Sequence, residues 1–172
     1  THRKLVPALY NLAREGELPS PFAVVGMSTS VGPPGEFRSQ LLESVRRHSR
    51  SKPVDEDVWG RFAAGVETVQ GDFNSAEAYA ALRRRIEEIE RARGTKGNRL
   101  FYLATPPGVF PVILGRLRDA GLLHPPGGSP WSRVVVEKPV GRDLESALEL
   151  NGLIARVLDE SQTFRSDHYL GK

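Results

Sequence analysis

The side chains best suited to chemistry are concentrated in the last six residues of the chain, Asp167 to Lys172. They are an acid, an imidazole, a phenol and an ammonium group: Asp167, His168, Tyr169 and Lys172. If a helix begins at Asp167, His168 and Lys172 lie four residues apart and share one face. Two cationic donors at a helix N-terminus suit a phosphate group, while a carboxylate can orient an imidazole. The alternative is a surface turn in which Asp167 caps a helix and the cations are solvated.

A second charged segment follows an apolar run. Val134–Val136 is typical of a buried strand, and it ends in the charged pair Glu137 and Lys138, directly before Pro139. In an open parallel sheet, ligands bind outside the carboxyl ends of the strands. Segments at such ends, and therefore candidates for a site, are residues 26–30, 104–107, 137–139 and 167–172.

The elements that must position these side chains are predicted from apolar periodicity. Helical patterns cover residues 1–15, 36–49, 55–64, 76–93, 109–120 and 143–158. Strand patterns cover residues 22–27, 66–70, 99–104, 132–138 and 163–166. Strands that alternate with helices favour right-handed crossovers, so the predicted fold class is α/β, a doubly wound parallel sheet with helices on both faces.

The first helix is predicted to bury the stripe Leu5, Leu9 and Leu12, because these residues are spaced by four and three. Pro7 fits only a first turn, so this helix begins near the start of the chain, and Gly16 ends it. Other apolar side chains predicted to face the core are Phe37, Leu41, Leu42, Val45, Trp59, Phe62, Tyr79, Leu82, Ile86 and Ile89.

The composition is that of a globular protein, with 39% hydrophobic and 26% charged residues among 172. The absence of cysteine excludes disulfides, cysteine nucleophiles and thiolate metal sites. No apolar run is long enough for a membrane span, and no signal peptide opens the chain, so we expect no membrane partner and a cytoplasmic location.

A net charge of +3 is compatible with anionic small molecules and with nucleic acid. Acids interleave with the basic run Arg83–Arg85, which indicates a solvated helix face, so we expect no nucleic-acid partner.

Two motifs resemble the glucose-6-phosphate dehydrogenase family: "EKPVGRDL" at 137–144 and "RSDHYLGK" at 165–172. The second is similar to that family's substrate signature apart from Ser166, where a branched apolar residue is usual. The strings "RKLVPALYNL" at 3–12 and "NRLFYLATPP" at 98–107 resemble further segments of the family. The chain itself lacks the G-x-G-x-x-G fingerprint of dinucleotide-binding domains.

The resemblance implies a Rossmann-like, partial NAD(P)-binding domain over residues 1–172 that ends at the start of the substrate site. The family's first strand and its Gly-x-x-Gly-Asp-Leu phosphate loop would precede Thr1, and its catalytic histidine would follow Lys172. The full-length protein is then expected to oxidise glucose 6-phosphate at C1 to 6-phosphoglucono-δ-lactone, the first step of the oxidative pentose phosphate pathway. It would use NADP, with NAD possible, and assemble as a homodimer or homotetramer. This chain alone would be inactive.

Site residues follow from the resemblance position by position. Asp167 matches the carboxylate paired with the catalytic histidine, whose tautomer it would fix and whose imidazolium it would stabilise. Pro139 matches the proline that places the neighbouring lysine. Substrate-binding positions are Lys138, His168, Tyr169 and Lys172. Coenzyme-binding positions are Lys4, Ser28, Thr29, Asp72, Phe73, Ala104, Pro107 and again Lys138.

One position departs from the family pattern. An arginine that binds the 2′-phosphate of NADP is usual just past the second strand of the family, and here that position is Thr29. No acidic residue replaces it, so there is no positive signal for NAD either. Arg38 could reach back from the following helix to supply a cation. Two other functions stay open: a non-catalytic sugar-phosphate or nucleotide-binding module of the same fold, and a basic nucleic-acid binder.

Overall fold

The structure is a computed structural model that describes residues 4–30, 32–137 and 143–166. The described residues group into two units. The first contains the described residues up to Asp72 together with Glu88–Thr95. The second contains Phe73–Glu87 and the described residues from Lys96 onward. The prediction of one partial domain over residues 1–172 stays a prediction.

Helices and strands follow the predicted order in the described part of the chain. The helices are α1 (Leu5–Glu15), α2 (Pro34–His48), α3 (Glu56–Ala63), α4 (Ala76–Arg93), α5 (Phe110–Asp119) and α6 (Leu144–Ala155). The strands are β1 (Val24–Ser28), β2 (Val66–Gln70), β3 (Arg99–Leu103), β4 (Ser132–Glu137) and β5 (Thr163–Ser166). Short 3-10 turns, Pro107–Val109 and Glu160–Gln162, precede α5 and β5. The predicted α/β class is confirmed.

Helix ends differ from the prediction where a side chain caps the helix. Asp55 and Asp143 were predicted as helical, but both have extended backbones and stand just before α3 and α6. The Asp55 carboxylate accepts the N–H of Val58 at 2.9 Å, and the Asp143 carboxylate accepts that of Ser146 at 2.9 Å. Each carboxylate thus satisfies a backbone donor that the helix leaves unpaired.

All strand pairs in the described chain are parallel. In the first unit β1 pairs with β2, and in the second unit the order is β3-β4-β5. Parallel strands with helices between them are typical of the doubly wound fold. Residues 24–27 of β1 were predicted as buried but are half-buried, since β1 pairs with β2 alone in the described part of the chain.

The core of the first unit is aromatic. Tyr10 and Phe62 pack against Trp59, with ring centroids 6.5 and 5.7 Å away. The predicted leucine stripe of α1 is only partly buried: Leu9 is half-buried against the core, whereas Leu12 is 38% exposed. The fully buried side chains of α1 include Val6 and Tyr10 instead. The reason is tertiary: the Tyr10 ring fills the core beside Trp59, and its hydroxyl accepts the Asp55 N–H at 2.9 Å.

Most other predicted core positions are confirmed. Buried side chains among them are Leu41, Val45, Trp59, Phe62, Tyr79, Leu82 and Ile89, whereas Phe37, Leu42 and Ile86 are half-buried. On α4, Arg83 and Arg84 are exposed, and Arg83 pairs with Glu87 at 2.7 Å, as a solvated face requires. No helix of the described residues has both the length and the apolar character needed to cross a membrane.

In the second unit one face of the sheet is buried. Val134 and Val136 of β4 are fully buried, as are Phe110 and Leu114 of α5. Residues on the other face include Leu100 and Phe164, which are 59% and 45% exposed. The carboxyl ends of the strands lie at one edge of this sheet, where the sequence places the charged motifs.

Candidate functional site

The carboxyl edge of the first unit's sheet gathers three predicted coenzyme residues. Ser28 and Gln70 end β1 and β2 as paired positions. The Gly71 N–H donates to the Ser28 carbonyl at 2.9 Å, and the Gln70 side-chain amide donates to the Thr29 carbonyl at 3.3 Å. The two loops are therefore joined, and Asp72 follows directly on the second. The side chains of Ser28, Thr29 and Asp72 are exposed at this edge.

This edge of the sheet offers uncharged hydrogen-bond donors. The hydroxyl oxygen of Ser28 accepts the Ser30 N–H at 3.4 Å, which leaves its own proton to donate, and the Thr29 side chain is exposed. Arg38 is held elsewhere: its Nη2 donates to the Val66 carbonyl at 3.3 Å. Val66 begins β2, roughly 13 Å from the strand's carboxyl end at 3.3 Å per residue. The expected contact of Arg38 with the Thr29 loop is not made.

Lys4 stands at the N-terminus of α1. Its carbonyl accepts the Ala8 N–H at 3.0 Å, no side chain caps the helix, and the first turn contains no acidic residue. The unpaired N–H groups of a helix N-terminus carry partial positive charge, so a lysine there is unfavourable for the helix alone. Lysine and helix end together suit an anion, so Lys4 stays a predicted position for a coenzyme phosphate.

The second unit brings the starts of the two motifs together. Glu137 of β4 and Ser166 of β5 are paired, and each is the last residue of its strand. In the sequence they are followed by Lys138 and Asp167. The predicted site residues Lys138, Pro139, Asp167, His168, Tyr169 and Lys172 lie outside the described residues.

The turn after β3 contains two more predicted coenzyme positions. Ala104 is exposed, and the half-buried Pro107 opens the 3-10 turn that leads into α5. Between them, the Thr105 hydroxyl oxygen is buried without a hydrogen-bond partner. Phe73 is half-buried ahead of α4 in the second unit.

Tyr102 was not singled out from the sequence. Its hydroxyl donates a short hydrogen bond to Glu137 Oε1. Burial, together with the adjacent Glu137 carboxylate, raises the pKa of Tyr102 to about 12. The only signal in the sequence was a tyrosine near the end of one strand and a glutamate at the end of the next. The described residues contain no group of three or more His, Asp or Glu side chains suited to a metal ion.

Comparisons with known proteins agree on one family. The family model described as "Glucose-6-phosphate dehydrogenase, NAD binding domain" matches residues 1–172. The Mycobacterium tuberculosis protein named glucose-6-phosphate 1-dehydrogenase 2 is 43% identical over 170 residues, which are 99% of this chain and 33% of that protein. Glucose-6-phosphate 1-dehydrogenase of Chlamydia muridarum is 41% identical over 174 residues, 100% of this chain and 34% of that protein. This chain thus spans about a third of the length of these relatives.

Solved structures agree with the sequence comparisons. The crystal structure of glucose-6-phosphate 1-dehydrogenase from Mycobacterium avium aligns with a TM-score of 0.83 at 32% identity, over 99% of this chain and 34% of that one. A glucose-6-phosphate dehydrogenase in complex with its substrate glucose 6-phosphate aligns with a TM-score of 0.81 at 34% identity, over 99% and 34% of the two chains. The chain therefore belongs to the glucose-6-phosphate dehydrogenase family and has the fold of its Rossmann-like domain, which binds the nicotinamide coenzyme.

Proposed function

We propose that the full-length protein is a cytoplasmic, homo-oligomeric glucose-6-phosphate dehydrogenase. It oxidises glucose 6-phosphate at C1 to 6-phosphoglucono-δ-lactone. The observation that carries this proposal is the pairing of Glu137 with Ser166, because it brings the starts of both family motifs side by side. Those motifs resemble the family's substrate site, and one solved relative is a complex with glucose 6-phosphate.

Residues of both units are assigned to the coenzyme, which we propose is NADP. When bound, the nicotinamide accepts the hydride from C1 of the sugar. The first unit contributes Lys4, Ser28, Thr29 and Asp72, whose charge and exposed polar groups at the helix and sheet ends support phosphate and ribose contacts. The second unit contributes Phe73, Ala104, Pro107 and Lys138 by the family resemblance.

The substrate phosphate is bound by His168, Tyr169 and Lys172, with Lys138 contacting both substrate and coenzyme. A cationic side chain and a hydroxyl each donate charge-assisted hydrogen bonds to phosphate oxygens. Asp167 orients the family's catalytic histidine, which removes the C1 hydroxyl proton, and stabilises the imidazolium that results.

The test is steady-state kinetics of the full-length enzyme. We expect coenzyme reduction that depends on glucose 6-phosphate and fails with unphosphorylated glucose. Lys172→Ala should mainly raise KM for glucose 6-phosphate. The rise should correspond to about 1.5–3 kcal/mol of lost binding free energy, as for a charge-assisted contact. Asp167→Asn should mainly lower kcat, by roughly a hundredfold or more. Binding of glucose 6-phosphate without coenzyme reduction would instead identify the protein as a non-catalytic binding module. Salt-dependent retention on DNA would identify it as a nucleic-acid binder.

A further inference from the structure

Tyr102 and Glu137 lie on the same face of the second unit's sheet. Strands β3 and β4 are parallel, and Tyr102 is opposite Val135. Side chains two residues apart on a strand point to the same face, so Glu137 stands diagonally ahead of Tyr102. The Tyr102 hydroxyl spans that diagonal and donates to Glu137 Oε1. The hydrogen bond therefore ties β3 to the last residue of β4.

The Tyr102 hydroxyl stays a hydrogen-bond donor at neutral pH. Both side chains are half-buried, and the pKa of Tyr102 is raised to about 12, so the phenol keeps its proton. A hydrogen bond to an ionised acceptor is roughly twice as strong as a neutral one. A protonated phenol beside a carboxylate therefore makes a strong tether between β3 and β4.

Apolar packing alone does not hold the end of β4 on this face. Val134 and Val136 are fully buried on the opposite face, whereas Glu137 is only half-buried. Beyond Glu137 the sequence continues into Lys138 and Pro139.

We propose that Tyr102 is a positioning residue for the substrate site, because it holds the end of β4 through Glu137, the residue directly before the proposed substrate lysine Lys138 in the sequence. The inference rests on the proposed function. Tyr102 acts through Glu137 and makes no contact with the substrate. Its loss should therefore weaken substrate binding more than it slows the chemical step.

The first test is Tyr102→Phe in the full-length enzyme, which removes only the hydroxyl. We expect KM for glucose 6-phosphate to rise about tenfold, the equivalent of one charged hydrogen bond, with kcat changed less than about threefold. The matched control is Tyr10→Phe, which deletes a buried hydroxyl that accepts the Asp55 N–H at 2.9 Å in the first unit. The control should lower the midpoint of thermal unfolding and leave KM unchanged.

The second test asks whether Tyr102 acts through Glu137. Glu137→Gln keeps an acceptor for the phenol and should preserve KM better than Glu137→Ala. In a Glu137→Ala background, Tyr102→Phe should cause no further rise in KM. An unchanged KM in Tyr102→Phe, or an equal rise in both backgrounds, overturns the positioning role. Absence of glucose-6-phosphate-dependent turnover in the wild-type enzyme overturns the proposed function instead, so the two failures are distinct.

Discussion

Thr29 is exposed in the loop after β1. By the family resemblance, this position is predicted to correspond to an arginine that binds the 2′-phosphate. In the described part of this loop, Ser28 and Thr29 offer hydroxyl and backbone donors, and Arg38 donates to the Val66 carbonyl instead. Neutral donors are worth about half of charge-assisted ones. The preference for NADP over NAD should therefore be weaker with Thr29 than it would be with an arginine at this position.

Thr29→Arg should therefore raise the preference for NADP over NAD by roughly tenfold to a hundredfold, because guanidinium binds phosphate through two donors. The measurement is kcat/KM with both coenzymes in the full-length enzyme. Ser30→Arg, which adds the same charge one residue later, should change the ratio much less. An unchanged ratio in Thr29→Arg would show that this loop does not bind the 2′-phosphate.

At the scale of elements, helix α1 buries an aromatic side chain in place of a leucine. Tyr10→Ala should lower the free energy of unfolding by about 3–5 kcal/mol, because it leaves a cavity beside Trp59 and unpairs the Asp55 N–H. Leu12→Ala should cost under about 1 kcal/mol, since Leu12 is 38% exposed. Denaturant unfolding of both variants checks the orientation of α1. Equal losses would support the leucine stripe.

Helix α6 depends on a reciprocal cap, in which Asp143 accepts the Ser146 N–H and Ser146 Oγ accepts the Asp143 N–H at 3.1 Å. The Ser146 N–H and hydroxyl hold the pKa of Asp143 below its ordinary value of 3.8. Because the folded state favours the ionised carboxylate, its contribution is present above pH 3.8 and is lost as pH falls further.

Asp143→Ala should therefore lower the midpoint of thermal unfolding by about 1–4 °C at neutral pH. The difference from wild type should shrink as pH falls below the ordinary Asp value. Glu145→Ala is the control. It removes a carboxylate from the same turn but leaves the cap intact, so it should lower the midpoint of thermal unfolding less. A difference that stays constant down to acid pH would exclude a role for the Asp143 charge.

At the scale of the whole molecule, the chain covers only about a third of its relatives. The family's phosphate loop and catalytic histidine match no segment of it. The 172-residue chain by itself should therefore show no glucose-6-phosphate dehydrogenase turnover. The control is the full-length enzyme at equal molar concentration in the same coenzyme-reduction assay. Measurable turnover by the isolated chain would contradict the expectation that the phosphate loop and the catalytic histidine lie outside it.

The sequence by itself determined the order and type of the elements, the parallel α/β class, the motifs and the family. These depend on local properties, namely apolar periodicity, turn residues and short strings of functional side chains. Only the tertiary structure decided which face of α1 is buried, where Arg38 binds, and that Glu137 pairs with both Ser166 and Tyr102. Each of these depends on partners that are distant in the sequence. Apolar periodicity predicts neither the register of paired strands nor the partner that a long side chain reaches.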